Sequence, residues 1–186
     1  MSSCVGIVVD GLGDYRALRK RLSHGFRIVK TDGPRGDKAS PKDIALRSGR
    51  QIGILRKFGC AKVVIVLDFE SRPQTYEGFV QTLRTSFSGT DFGLPVSVAV
   101  PNRMIENWYL ADIEYLSAKK AFLKAKLKQK RYEGRDGKSL IKRCMRPPHT
   151  YSETEHGPEM FAILRFHEAR KNSPSLDAFL TLIRRS

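Results

Sequence analysis

Three short and almost uninterrupted apolar runs constrain the fold of this chain more than any other feature. They occupy residues 5–9, 62–67 and 95–100, and the middle one, within AKVVIVLDFE, is the strongest strand signal in the sequence. A strand covered on both faces has a continuous apolar pattern, whereas a strand with one wet face alternates. The runs therefore predict an α/β fold with a mostly parallel sheet.

Helical patterns separate these runs and dominate the chain after residue 106. A cap, a first-turn proline and an early acid predict a helix from Ser40, Pro41 and Asp43 to about Gly59. The turn-rich residues 31–41 before it predict a loop. Other helices are expected at 14–22, 78–86, 107–116, 118–130, 159–170 and 176–183, and a further strand at 26–29.

The length predicts one domain over residues 1–186, with an α/β core at 1–116 and a helical, basic extension at 117–186. The chain lacks a signal-peptide pattern and an apolar run of the roughly 18 residues that a membrane span needs. We therefore expect a soluble, cytoplasmic protein. Its three cysteines are odd in number and far apart, which argues against a disulfide framework and a thiolate zinc site.

Charge is the unusual part of the composition. Lys and Arg number 34 against 19 Asp and Glu, a formal net charge of +15. Such an excess favours a polyanionic partner, with nucleic acid ahead of an acidic membrane surface. A surface of solvated lysines is the plainer interpretation of the same numbers.

Acids follow two of the predicted strands directly. Asp10 ends the first strand, and Asp68 and Glu70 end the strand at 62–67. Ligands of open parallel sheets bind outside the carboxyl ends of the strands, so neighbouring strands would bring these acids to one edge. Asp68 and Glu70 are two residues apart and point to one side of an extended backbone. Three converging carboxylates need a counter-charge, which predicts a Mg²⁺ or Mn²⁺ site at Asp10, Asp68 and Glu70.

Each acid also has an ordinary structural explanation. Turns favour aspartate at strand ends, and Glu70 has Arg72 nearby as an ion-pair partner. A dinucleotide-binding loop is a weaker alternative for DGLGDYR, because Arg16 occupies the position of the third glycine. The joint occurrence of acids after two buried strands favours the metal site over these interpretations.

The order of these motifs resembles the Toprim module, which topoisomerases, primases and the overcoming-lysogenization-defect class of nucleases share. The first strand, its acid, the glycine, Asp14 and a helix precede a strand that ends in D-x-E. AVPNRMIENWYLAD (99–112) and SPSLDAFLTLI (173–183) are similar to segments of a group of small bacterial Toprim-like proteins. The likeness thus touches most of the chain.

The resemblance implies metal-dependent phosphodiester chemistry. In Toprim enzymes the first-strand acid is a glutamate that assists proton transfer or metal binding, and a later D-x-D holds Mg²⁺. Here Asp10 replaces the glutamate, and Asp68 with Glu70 replaces the D-x-D. Aspartate is one methylene shorter than glutamate, so the substitution supports metal binding better than fast catalysis.

Catalytic roles are predicted for Asp10, Asp14 and Glu106. Asp14 is expected as a further ligand or as the acceptor of a metal-bound water. Glu106 follows the strand at 95–100 and would lie at the same sheet edge. There it is expected either to bind the metal ion directly or to contact the residues that bind it. The alternative for Glu106 is a place at a helix start, with Trp108 packed in the core.

Basic residues are concentrated at 119–146, where only two acids oppose them. Lys120, Lys124 and Lys128 have the spacing of one helical face. Lysine and arginine contact phosphates without regard to sequence, so the segment is the predicted nucleic-acid-binding surface. The residues chosen for it are Lys120, Lys124, Lys128, Lys130, Arg131, Lys142 and Arg143.

The preferred functional prediction is a Mg²⁺-dependent nuclease that acts on DNA or RNA. The resemblance to Toprim-like proteins implies phage defence as its setting. The alternative is a non-catalytic nucleic-acid-binding or toxin-like subunit that has a degenerate metal site and works beside an ATPase partner. The shorter Asp10 and the exchanged Glu70 favour the alternative.

Overall fold

The computed structural model describes residues 4–31 and 38–184. Its first hundred residues alternate strands and helices, as the apolar runs predict. The elements are β1 (Cys4–Val9), α1 (Leu12–Arg21), β2 (Phe26–Lys30), α2 (Pro41–Lys57), β3 (Cys60–Val66), α3 (Tyr76–Ser88) and β4 (Val96–Ala99).

Helices and irregular segments make up the rest of the described chain. The helices are α4 (Glu106–Leu110), α5 (Ile113–Lys119), α6 (Gly137–Cys144), α7 (His156–Ile163), α8 (Phe166–Asn172) and α9 (Pro174–Leu182). Within the described ranges no helix combines the length and the apolar character that crossing a bilayer requires.

The sheet is entirely parallel, with the strand order β2-β1-β3-β4. Buried residues form one core on each face. Val8, Val63 and Ile65 pack under α2 and α3, whereas Ile7 and Val64 face α1 and the C-terminal helices. This layering is the reason that the strands need continuous apolar runs. The predicted α/β fold with a parallel sheet and a helical C-terminal portion is therefore confirmed.

The local signals around α2 are confirmed as well. The Ser40 hydroxyl accepts a hydrogen bond from the backbone N–H of Asp43 at 3.1 Å, and Pro41 opens the helix. Gly59 follows the helix with a φ of +76°, a left-handed conformation that glycine adopts without steric cost. Of the loop predicted before α2, residues 32–37 lie outside the described ranges.

The predicted helix at 118–130 is wrong. Helix α5 ends at Lys119, and the chain then runs without regular helix to α6. Its backbone pairs with the segment after α6: Lys124 N–H donates to the Cys144 carbonyl at 2.9 Å, and Arg146 N–H donates to the Phe122 carbonyl at 2.8 Å. This pairing buries Leu123 completely, so tertiary contacts override a local helical pattern.

Two cysteines meet where β1 and β3 begin. The Sγ atoms of Cys4 and Cys60 lie 2.9 Å apart, within hydrogen-bonding distance for two thiols. Burial and the Cys4 thiol raise the pKa of Cys60 to about 12. A thiol with such a pKa stays protonated at neutral pH, which suits a packing role.

Candidate functional site

The site lies where the winding of the sheet changes direction. Strand β2 pairs with one side of β1, and β3, the next strand along the chain, pairs with the other side of β1. The carboxyl ends of β1 and β3 therefore flank a topological switch point, the position at which open α/β sheets bind ligands.

A cavity of about 80 Å³ opens at this point. Six carboxylates and one ammonium group line it, and we call it the acid cavity. Its lining residues are Asp10, Gly11, Asp14, Asp68, Glu70, Glu106, Lys138 and Glu153. The structure thus gathers all five acids that the sequence singled out for metal binding or catalysis, from positions up to about a hundred residues apart, and adds Glu153 and Lys138.

Glu106 is the most enclosed of these acids, with 1% of its surface exposed. It begins α4, and the Tyr151 hydroxyl donates to its Oε1 at 2.9 Å. Its Oε2 is buried and has no hydrogen-bond partner. Burial, and to a smaller extent the charge of Asp14, raises the pKa of Glu106 to about 7 against the opposing charge of Lys138. Such a carboxyl exchanges its proton near neutral pH.

Two further acids share this raised affinity for protons. Burial is the largest cause of the raised pKa in both, and the charges of neighbouring acids add to it. The pKa of Asp14 is raised to about 6, although a backbone hydrogen bond from Gly11 and the charge of Lys138 oppose the rise. The pKa of Asp68 lies well above its usual range, with Asp14 and Glu106 adding to the burial. These carboxyls therefore favour a bound proton, or another cation in its place.

Glu70 reaches the cavity through an unusual backbone. Its φ is +56°, and that of Arg103 is +82°. The two residues are joined, since Glu70 N–H donates to the Arg103 carbonyl at 2.6 Å. The extended D-x-E geometry expected from the sequence is therefore replaced by a left-handed turn. Left-handed conformations of non-glycine residues cost about 1–3 kcal/mol and cluster at functional sites.

Lys138 supplies the one positive charge that lines the acid cavity in the described part of the chain. It pairs with Glu153 at 2.9 Å. Burial alone would lower its pKa, but the Glu153 hydrogen bond and the charges of Glu106, Glu153 and Asp68 raise it. Lys138 is thus held charged beside the carboxylates.

Close packing of α6 on α4 positions this lysine. A Cβ atom on Gly137 would stand 2.8 Å from the Cβ of Glu106 and 2.5 Å from Oδ1 of Asn107. Only glycine permits this approach. The Asp136 side chain caps α6 by accepting from the backbone N–H of Ser139 at 3.1 Å. Helix α6 is therefore fixed at both its start and its contact with Glu106.

Lys138 and Glu153 were not predicted as site residues from the sequence. Asp136 followed by a small residue is a helix-start signal, and it marks the beginning of α6. This helix-start signal lies within a run of basic residues that was assigned to nucleic-acid binding, so a helix was not predicted there. Glu153 lies in a segment without a recognised ligand spacing, so only the tertiary structure identifies it.

The donor set fits a hard divalent cation. It consists of carboxylate oxygens, which Mg²⁺ and Mn²⁺ prefer, and Glu106 Oε2 lacks a partner. A volume of about 80 Å³ exceeds the ~30 Å³ share of one liquid water, so an ion can retain part of its water shell. Among residues 4–31 and 38–184 no three His, Cys, Asp or Glu side chains already stand in metal-holding positions. Binding therefore requires the carboxylates to draw together.

The predicted nucleic-acid residues divide into two groups. Lys120 donates to Glu159 Oε2 at 2.7 Å, and Glu159 also pairs with Lys20, so this lysine fastens α7. The single helical face expected for Lys120, Lys124 and Lys128 does not form, because residues 120–130 are not helical. Lys124, like Lys120, is half-buried. The exposed members of the predicted set are Lys128, Lys130, Arg131, Lys142 and Arg143.

Comparisons with known proteins give no match, whether with protein-family models, curated proteins or solved structures. The chemistry of the site is therefore inferred from its own residues and their positions.

Proposed function

We propose that this protein is a divalent-metal-dependent phosphodiesterase that cleaves nucleic acid in the cytoplasm. The observation that carries the proposal is the convergence of six carboxylates and Lys138 at the β1–β3 switch point of a chain with a formal net charge of +15. The resemblance of its motifs to the Toprim module points to the same chemistry. The acids suit a cation, and the positive charge of the molecule suits a polyanionic substrate.

Asp10, Asp68 and Glu70 are assigned to hold the ion, with Asp14 beside them. Mg²⁺ or Mn²⁺ in this position supplies Lewis-acid polarisation of a phosphodiester and activation of water at neutral pH. Glu106, whose pKa lies at about 7, holds or accepts a proton at Oε2. Lys138 donates hydrogen bonds toward charge that develops on the phosphate oxygens.

The test is a cleavage assay on single-stranded DNA, double-stranded DNA and RNA with Mg²⁺, Mn²⁺ or a chelator. We expect cleavage with a metal and none with the chelator. Asp68→Asn is expected to lower the rate at least about a hundredfold, because it removes a ligand of the ion. Lys138→Ala is expected to lower it by a similar factor, because it removes the ammonium group that faces the phosphate. The matched control is Asp91→Asn, which changes an exposed acid in the loop before β4, at the end of the sheet opposite the cavity. Metal-dependent cleavage that survives Asp68→Asn contradicts the assigned site.

A second candidate is a non-catalytic nucleic-acid-binding or toxin-like subunit that has a degenerate metal site and works with a partner ATPase. It is favoured by the absence, among the described residues, of three side chains already placed to hold an ion, and by the short Asp10 side chain. Salt-sensitive nucleic-acid binding without cleavage under every metal condition supports this candidate over the nuclease.

A further inference from the structure

A second cavity, of about 320 Å³, lies in the C-terminal half of the chain. It has a basic rim and an apolar floor, and we call it the basic pocket. The rim is formed by Lys130, Arg131, Arg135 and Arg143, and the floor by Leu127 and Leu140. No carboxylate of the described residues lines it. Its volume lies in the range of ligand-binding cavities, about 300–1,000 Å³.

The acids near this pocket are engaged elsewhere. Glu133 turns toward α9, where its Oε1 accepts from the Ser175 hydroxyl at 2.6 Å and from the Ser173 hydroxyl. Asp136 accepts from the Ser139 hydroxyl at 2.7 Å as the cap of α6. These are the only two acids between residues 119 and 146. The four cations of the rim therefore keep their charge uncompensated by their own segment.

Helix α6 connects the basic pocket with the acid cavity. Lys138 lines the acid cavity, whereas Leu140 and Arg143 line the basic pocket. Residues 138 and 140 are rotated by about 200° around a helix, so the two cavities lie on opposite flanks of α6.

The segment before α6 is anchored to α4. Asn107 Nδ2 donates to the Asn102 carbonyl at 2.7 Å and to the Arg135 carbonyl at 3.2 Å. Gly134 N–H donates to the same Asn102 carbonyl at 3.1 Å. The rim of the basic pocket is thus held at a fixed position relative to Glu106, which begins α4.

We propose that the basic pocket binds a single strand of nucleic acid close to the phosphodiester that enters the acid cavity; this inference rests on the proposed function. The rim pairs with backbone phosphates, and the leucine floor accepts an unstacked base, which a duplex does not present. Since a helix is about 10–12 Å across, a single strand of a few nucleotides that passes over α6 reaches both cavities.

The test separates binding from cleavage. Fluorescence anisotropy in chelator measures the affinity of the full chain for fluorescein-labelled DNA and RNA 12-mers, as single strands and as duplexes, over a salt series. Arg131→Ala/Arg143→Ala is expected to weaken single-strand binding at least tenfold. It is also expected to reduce the slope of log affinity against log salt by about 1.4, since each phosphate contact on a single strand contributes about 0.7. The matched control, Arg47→Ala/Arg84→Ala, removes two exposed arginines from α2 and α3 on the opposite face of the sheet.

The outcomes are distinguishable. Single-strand binding that is weakened by the pocket variant and not by the control supports the inference, even if no metal condition gives cleavage; in that case the nuclease proposal alone fails. If the wild-type protein cleaves nucleic acid but the two double variants bind and cleave alike, the basic pocket is not the strand site. Preferential duplex binding also overturns the inference. Circular dichroism melting checks that the variants are folded.

Discussion

Glu106 shows how a single residue links packing to chemistry in this protein. Its carboxyl is buried at the start of α4, with one oxygen bonded to Tyr151 and the other without a partner. A raised pKa means that the folded state binds its proton more tightly than the unfolded chain does. Its contribution to stability is therefore fully present below the unfolded pKa of 4.5 and is lost as the pH rises through about 7.

Glu106→Gln isolates this contribution, because the amide keeps an oxygen for Tyr151 and removes the ionisation. In chelator at pH 5 we expect the variant and the wild-type protein to have similar free energies of unfolding. At pH 8 the variant is expected to be more stable by up to about 3 kcal/mol, since each pKa unit corresponds to about 1.4 kcal/mol. Urea unfolding at both pH values measures the difference.

Metal addition completes this test. Mn²⁺ is expected to raise the melting temperature of the wild-type protein at pH 8 more than at pH 5, because protons compete with the ion for the same carboxylates. A variant that is destabilised equally at both pH values would show that the Glu106 carboxyl is not held protonated in the fold.

Glu70 has a left-handed backbone conformation, which costs free energy for any residue that has a Cβ atom. Glu70→Gly is expected to raise the free energy of unfolding by about 1 kcal/mol, since glycine adopts a φ of +56° without the Cβ clash. Metal-dependent cleavage is expected to fall in the same variant. The control is Glu77→Gly in the first turn of α3, which should cost about 1 kcal/mol. Equal destabilisation by both changes would contradict a strained, functional Glu70.

The strands and helices that depend on local sequence patterns were predicted from the sequence. Three of the four strands follow from the apolar runs, and α2 follows from its cap and its terminal glycine. The convergence of Asp10, Asp68 and Glu70 follows from the rule that parallel strands end at one edge. The irregular segment after Lys119 was not predictable in this way, because its backbone partners lie some twenty residues further along the chain. Lys138 was not predicted because it lies in the basic segment that was assigned to nucleic-acid binding, and its contact with the acids depends on the packing of α6 on α4.

The contact between α6 and α4 gives a prediction about glycine. Gly137→Ala is expected to lower the free energy of unfolding by about 1–3 kcal/mol, because its Cβ would overlap Glu106 and Asn107 and force α6 outward. Cleavage is expected to fall as Lys138 moves. Gly53→Ala, in the interior of α2, should instead stabilise by about 1 kcal/mol, because nothing beyond the neighbouring backbone of α2 lies within 4 Å of the added Cβ. Thermal and urea unfolding compare the two, and a neutral Gly137→Ala would refute the close packing.

At the scale of the whole molecule, Trp108 joins the sheet layer to the C-terminal helices. It is fully buried, stacks on Phe179 of α9 with ring centroids 5.0 Å apart, and lies 6.4 Å from Phe161 of α7. Its indole N–H donates to Ser175 Oγ at 2.8 Å. Asp112 adds a second link, since Arg165 donates to it from Nε at 3.0 Å. The IENWYLAD and SPSLDAF segments are therefore structural partners of each other.

This arrangement predicts that the core and the C-terminal helices unfold together. Trp108 is the only tryptophan in the chain, so its fluorescence reports the contact with α7 and α9, whereas far-ultraviolet circular dichroism reports all elements. We expect the two urea transitions to coincide, as for a single cooperative unit. Ser175→Ala leaves the buried indole N–H without its acceptor and should lower both midpoints together, with a cost of about 1–3 kcal/mol. Ser88→Ala, at an exposed position near the end of α3, serves as the control. A fluorescence transition at lower urea than the dichroism transition would show instead that residues 117–186 detach from a sheet that remains folded.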